Sequence, residues 1–149
     1  MACQVFLENV TLPEGVPDPE KLRQAGDAIL QHSGKEGRSC VLVFCDRETI
    51  REINRDFRGI DSVTDVISFA EQDMPVPGPE EEREDLGEVY ICLDRALEQA
   101  PEYGNDAKGE IMRLMVHGIL HLQGYDHEAG GEPARIMEKK EEEILSLLD

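Results

Sequence analysis

The sequence predicts an α+β fold: one domain in which a small mixed four-stranded sheet is packed by helices, one of them rich in histidine and ended by a glycine turn. Three observations carry this. Short β-branched runs alternate with amphipathic stretches of helical period. A length of 149 residues leaves room for one continuous core and hardly for two. Neither an internal repeat nor a linker-like stretch divides the chain, so residues 1–149 read as a single unit.

Residues 4–10 alternate loosely and predict a first strand, with turn chemistry following at Pro13, Gly15 and Pro17. A helix is expected over 19–33, because Pro19 suits a first turn, Leu22, Ala25, Ile29 and Leu30 share a face, and Gly34 stops it. The run Cys40-Val41-Leu42-Val43-Phe44-Cys45 predicts a buried strand over 38–45. Asp46 is a good N-cap for a helix reaching residue 57, with Ile50, Ile53 and Phe57 on one face and Gly59 beyond its end. Residues 63–70 predict the third strand, 71–85 an acidic, proline-bearing surface loop, and 86–93 the fourth strand, with Val89, Ile91 and Leu93 on one face. Helices are expected over 94–103, from a cap at Asn105 or Asp106 to residue 123, and over 132–148, the last carrying Ile136, Ile144, Leu147 and Leu148 beside mixed charges.

No run approaches the ~20 apolar residues needed to span a bilayer, and the first residues lack a basic region leading into an apolar one, so a cytoplasmic protein without membrane attachment is expected. Cys3, Cys40, Cys45 and Cys92 form no CxxC pair and read as small buried hydrophobes in a reducing compartment. The formal net charge of −18 argues against a simple nucleic-acid binder, DNA included. The charge is uneven, however. Residues 71–88 hold eight acids against Arg83, whereas 38–60 hold Arg38, Arg47, Arg51, Arg55 and Arg58 against four acids, which leaves room for a local cationic groove.

The informative segment is His117-Gly118-Ile119-Leu120-His121-Leu122-Gln123-Gly124-Tyr125-Asp126-His127. Histidines four apart on a helix stack on one face and can aim at a common point. Gly124 can adopt a left-handed conformation, end the helix and turn the chain back, bringing His127 round as a third ligand. Three imidazoles leave a tetrahedral ion one open position, the pattern of catalytic zinc; nickel, copper and iron also accept imidazole. The spacing matches the metzincin proteases, but Gly118 stands where they carry their general-base glutamate, so proteolysis is not implied.

Across residues 41–145 the chain resembles the YbeY family of metal-dependent endoribonucleases. The resemblance rests on three blocks in order: Ile53-Asn54-Arg55-Asp56-Phe57-Arg58-Gly59-Ile60-Asp61-Ser62-Val63-Thr64-Asp65-Val66-Ile67-Ser68-Phe69, then Leu86-Gly87-Glu88-Val89-Tyr90-Ile91, then the histidine segment. Val63 and Ala70 depart from it where the family often has proline. The resemblance implies one zinc ion on His117, His121 and His127, a functional Arg58 beside the metal, and single-stranded or ribosomal RNA as substrate. It further implies maturation of the 16S rRNA 3′ end and ribosome quality control, with the ribosomal small subunit and its associated proteins as partners.

A guanidinium can hold two phosphoryl oxygens at once, which suits Arg58 to a developing phosphorane charge. Ser68 could contact RNA or hydrogen-bond the sheet, and Tyr125 could stack a base or pack beneath the metal loop. Asp61, Asp65 and Asp126 are candidate bases, with structural roles as caps or histidine partners favoured. Two other functions remain open at this stage: a peptidase or amidase on the same histidines, and a ribosome assembly factor whose ion only stabilises the fold.

Overall fold

A computed structural model of the protein describes residues 3–71, 85–126, 128 and 130–148. Along the chain run β1 (Cys3–Glu8), α1 (Pro19–His32), β2 (Ser39–Cys45), α2 (Arg47–Arg58), β3 (Val66–Ala70), β4 (Asp85–Cys92), α3 (Leu93–Gln99), a 3-10 turn (Ala100–Tyr103), α4 (Ala107–Leu122) and α5 (Gly131–Leu147). The strands form one four-stranded sheet in the order β1-β2-β4-β3. β1 and β4 both run parallel to β2, while β3 runs antiparallel to β4 and forms an edge. The mixed sheet of the predicted α+β class is therefore present. The predicted loop falls almost wholly on 72–84, outside the described residues.

The two faces of the sheet are covered unequally. The row Val5, Leu42, Val89 and Ser68 lies in register, and its first three members face the principal core with α1 and α4. The neighbouring row, Phe6, Val43, Tyr90 and Ile67, faces the other way, where α2 covers only one end with Ile50 and Ile53. α4 is the central helix, and Ile111, Leu114, Met115, Ile119 and Leu122 are buried on several of its sides. Its pattern is accordingly apolar nearly all round rather than striped.

Local chemistry sets the helix ends. Asp18, Asp46 and Asp106 each accept a backbone N–H three residues on, at 2.9, 2.9 and 2.7 Å, as N-caps do. Gly26 is a glycine inside α1 because a Cβ there would sit 2.4 Å from Cys3 Sγ. Helix and strand touch at that point without room for a methyl group.

Some expected boundaries move. Leu93 begins α3 instead of ending a strand, and the helix expected over 94–103 divides into α3 and the 3-10 turn at Pro101, whose nitrogen cannot donate. In α5 the buried positions are Met137 and Ile144, seven residues apart, with Leu145 and Leu148 partly buried beside them. Ile136 and Leu147 stay exposed, because both lie on the same side of the helix, about 60–100° round from the buried pair.

The four cysteines are free and buried, as expected. Cys3 and Cys40 face each other across β1 and β2 with sulfurs 3.8 Å apart, and that contact together with burial pushes the Cys40 thiol far up. Among the described residues, no helix is long and apolar enough to cross a membrane.

Candidate functional site

A cleft of about 430 Å³ lies between β3 and the C-terminal half of α4, and Arg58, Asp65, Ser68, His117, His121 and Glu128 are among its lining residues. Three elements thus deliver side chains that are distant in sequence. β3 is the sheet edge, α4 crosses its core face, and the C-terminal end of α2 reaches in from the side.

His117 and His121 occupy one face of α4, their ring centroids 4.7 Å apart and their planes at 74°. α5 crosses α4 and places the Glu141 carboxylate 3.3 and 3.4 Å from His117 Nδ1. A carboxylate there favours the tautomer with the proton on Nδ1, which would leave Nε2 as the nitrogen able to bind a metal. Two imidazoles so arranged, one oriented by a carboxylate, suit a zinc-type ion. The third expected ligand, His127, lies outside the described residues. Among the described residues, no three His, Cys, Asp or Glu side chains group around a common point.

The turn after α4 is built as its sequence requires. Gly124, at φ +97°, donates to the His121 carbonyl at 3.1 Å, and Tyr125 N–H donates to the Leu120 carbonyl at 3.2 Å, the paired bonds of a Schellman end. Tyr125 packs against the core, its structural alternative. Asp126 Oδ1 accepts the Glu128 N–H at 2.9 Å, and Glu128 lines the cleft.

Gly118 sits between the two histidines and explains their depth. A Cβ here would lie 2.5 Å from Val89 Cγ1 and 3.3 Å from Ser68 Oγ. Ser68 Oγ donates to the Gly118 carbonyl at 3.2 Å, so this hydroxyl ties β3 to α4 while lining the cleft. Any side chain at 118 would meet the sheet, so a glutamate there would have to displace β4 before reaching a substrate.

Arg58 ends α2, where Gly59 takes the left-handed conformation at φ +73° and closes the helix. The following loop is fastened by buried Asn54, whose Nδ2 donates to the Ser62 carbonyl at 2.9 Å, and by Val63 packing into the second core cluster. That fastening stands where a proline would otherwise stiffen the chain. Arg47, Arg51 and Arg55 all have carboxylate partners, in Glu98, Asp61 and Asp56. Among the described residues Arg58 has none, and its side chain lines the cleft.

The candidate acids separate clearly. Asp61 is bound to Arg51 at 2.8 Å, which holds its carboxyl below the usual range, and Asp126 caps the turn. Asp65 does line the cleft, with Oδ2 accepting from Gln99 Nε2 at 2.9 Å. The same nitrogen donates at 2.7 Å to buried Glu110, which also accepts from Asn105 at 3.0 Å and from Arg113 at 2.9 and 2.5 Å. Burial pushes the Glu110 carboxyl up, but the bonds from Arg113, Asn105 and Gln99 outweigh it and hold the group below its ordinary value. Arg113 in turn lies 3.8 Å over the Tyr103 ring.

Pattern reading missed Glu128 in the cleft, Glu141 against His117, and the Gln99–Glu110 pair that holds Asp65 from behind. The available signals were a glutamate on the apolar face of α4 with Arg113 one turn on, and an acid directly after His127.

Comparison with known proteins gives a consistent result. The family model described as Endoribonuclease YbeY matches residues 17–149. Endoribonuclease YbeY of Pelotomaculum thermopropionicum is 46% identical over 130 residues, covering 86% of this chain and 84% of its own. That of Chloroflexus aurantiacus is 39% identical over 149 residues, covering 97% and 96%. The solution structure of TM1509 from Thermotoga maritima superposes with a TM-score of 0.62 at 27% identity, covering 97% of this chain and 87% of that one.

Proposed function

The chain belongs to the Endoribonuclease YbeY family, and from that premise we propose that it is a cytoplasmic, metal-dependent endoribonuclease that cuts single-stranded ribosomal RNA. One zinc-type ion would be held by His117, His121 and His127. The observation that supports this reading best is the arrival of Arg58, without a carboxylate partner among the described residues, in the same cleft as the His117–His121 pair.

When bound, such an ion lowers the pKa of a coordinated water toward about 7 and so supplies a nucleophile at neutral pH. The residues do the rest. Arg58 binds two phosphoryl oxygens and offsets the charge that grows on them in the transition state. Glu141 orients His117. Glu128 and Asp65 are the described cleft carboxylates able to take a proton, and Asp65 is already engaged by Gln99, which makes Glu128 the stronger base candidate. Ser68 Oγ lines the same cleft but donates to the Gly118 carbonyl, so it would contact a phosphate only by giving up that bond.

Maturation of the 16S rRNA 3′ end, ribosome quality control, and docking on the small subunit with its associated proteins extend the same reading. With a net charge of −18, affinity for free RNA rests on a few arginines and is expected to be modest, so ribosomal partners would supply much of the specificity. A peptidase on the same histidines is disfavoured by Gly118, where the metzincin base would collide with Val89.

Cleavage of a labelled single-stranded RNA, lost in His121→Ala and Arg58→Glu with casein untouched throughout, is the outcome this function requires. Casein cleavage without RNA cleavage would select the peptidase. Normal ribosome association by a folded His117→Ala/His121→Ala variant, with the wild type cutting neither substrate, would select the assembly factor.

A further inference from the structure

The apolar stripe of α2 runs off the sheet it packs on. Ile50 is fully buried, Ile53 is half-buried, and Phe57, the next residue on that face, is 72% exposed. The ring is nevertheless braced. It makes a T-shaped contact with Phe69 at 5.3 Å and 69°, and Phe69 makes another with Tyr90 at 5.8 Å and 84°. The outcome is a ladder of rings across the outer face of β3 and β4 that ends in an open aromatic surface.

A cationic stripe runs along another side of α2, about 100–160° round the helix from Phe57. The next residue, Arg58, lines the cleft, and Arg51 and Arg55 lie back along the same helix, tied only to the exposed carboxylates of Asp61 and Asp56. Exposed pairs of this kind contribute little and exchange readily for phosphates. On so acidic a protein, a stripe of guanidinium groups on the same helix as a bare ring favours a polyanion with flat apolar bases over an apolar protein segment. Unpaired nucleic acid has that chemistry: cations track its backbone and an aromatic face takes a base. A duplex does not, since its bases are already stacked inside.

We infer that Phe57 is the stacking platform for one nucleobase of single-stranded RNA, beside the phosphate that Arg58 holds. The inference rests on the RNA reading above and deepens it. Phe57 becomes the residue through which the cleft prefers unpaired over paired RNA. Phe57 is not among the residues that line the cleft and projects about 100° round α2 from Arg58, so the stacked base belongs to a nucleotide that flanks the phosphate Arg58 holds.

The test uses a single-stranded RNA twelve-mer carrying 2-aminopurine at successive positions, mixed rapidly with the metal-loaded protein and read before turnover. Stacking on Phe57 quenches the fluorophore at one position. Phe57→Ala should abolish that quench and weaken binding by about 5- to 150-fold, while Phe57→Trp restores both and a duplex of the same sequence shows neither. Circular dichroism confirms that each variant is folded. A wild-type quench and affinity retained in Phe57→Ala would overturn the inference, and so would absence of any positional quench in the wild type. Quenching without cleavage would sink the nuclease reading alone, whereas cleavage indifferent to Phe57 would sink the stacking platform alone.

Discussion

Gly118→Ala sets two known effects against each other. Replacing a helix-interior glycine by alanine gains about 1 kcal/mol in helix propensity. The new methyl would lie 2.5 Å from Val89 Cγ1 and 3.2 Å from Cγ2, well inside contact distance, with Ser68 Oγ at 3.3 Å. Overpacking a core in this way costs about 1–3 kcal/mol. Val89 is fully buried in a central strand and cannot swing aside, so the upper part of that range applies and a net loss of about 1–2 kcal/mol is expected. Val89→Ala alone removes buried methyls and costs about 1.5–3 kcal/mol. In the double variant one defect fills the other, so its loss should fall short of the sum by about 1 kcal/mol or more. Urea unfolding of the four proteins, each at saturating metal, measures the cycle. Additive losses, or a Gly118→Ala variant more stable than wild type, would show that α4 is not seated against Val89 and that the account of the missing glutamate is wrong.

Glu141→Gln weakens the carboxylate hold on His117 and should reduce zinc affinity about 10- to 100-fold, measured by competition with a chromophoric chelator; unchanged affinity would remove Glu141 from the site. Glu110→Ala leaves half-buried Arg113 unpaired and should cost about 3–5 kcal/mol at pH 7 by urea unfolding. Because the folded carboxyl of Glu110 lies below its ordinary value of 4.5, its stabilisation is present above that pH and is lost as pH falls through the lowered folded value. The stability difference between wild type and Glu110→Gln should therefore shrink as unfolding is repeated from pH 5 down to pH 3, and a difference that grew on acidification would reverse the assignment. Glu128→Gln should lower kcat on single-stranded RNA about 100-fold or more with little change in KM if this carboxylate takes the proton.

The fold was legible wherever local chemistry acts alone. Pro19, Asp46 and the choice of Asn105 or Asp106 announced three helix starts, and the continuous apolar run at 40–45 announced a buried strand. Helical spacing placed His117 beside His121, and Gly124 announced the turn after them. Tertiary contacts decided the remainder. Nothing in the spacing of α5 says that Met137, and not Ile136, is buried, since that depends on how α5 crosses α4. The same crossing delivers Glu141 to His117, a contact between residues 24 positions apart. Gly118 could be read as a missing base, but only the approach of Val89 shows why no side chain fits. Arg58 was singled out by resemblance, and its entry into the histidine cleft is a property of where α2 ends relative to β3.

The central claim is that a histidine-held metal and Arg58 act together on one phosphate. Single-turnover cleavage of 5′-labelled single-stranded RNA by chelator-stripped protein, titrated with zinc, tests it most directly. Activity should rise from nothing to a plateau at one equivalent, and Arg58→Glu, loaded to the same stoichiometry, should stay at least about 100-fold below that plateau. Full cleavage by the stripped protein, or a loaded Arg58→Glu variant as fast as wild type, would contradict the account.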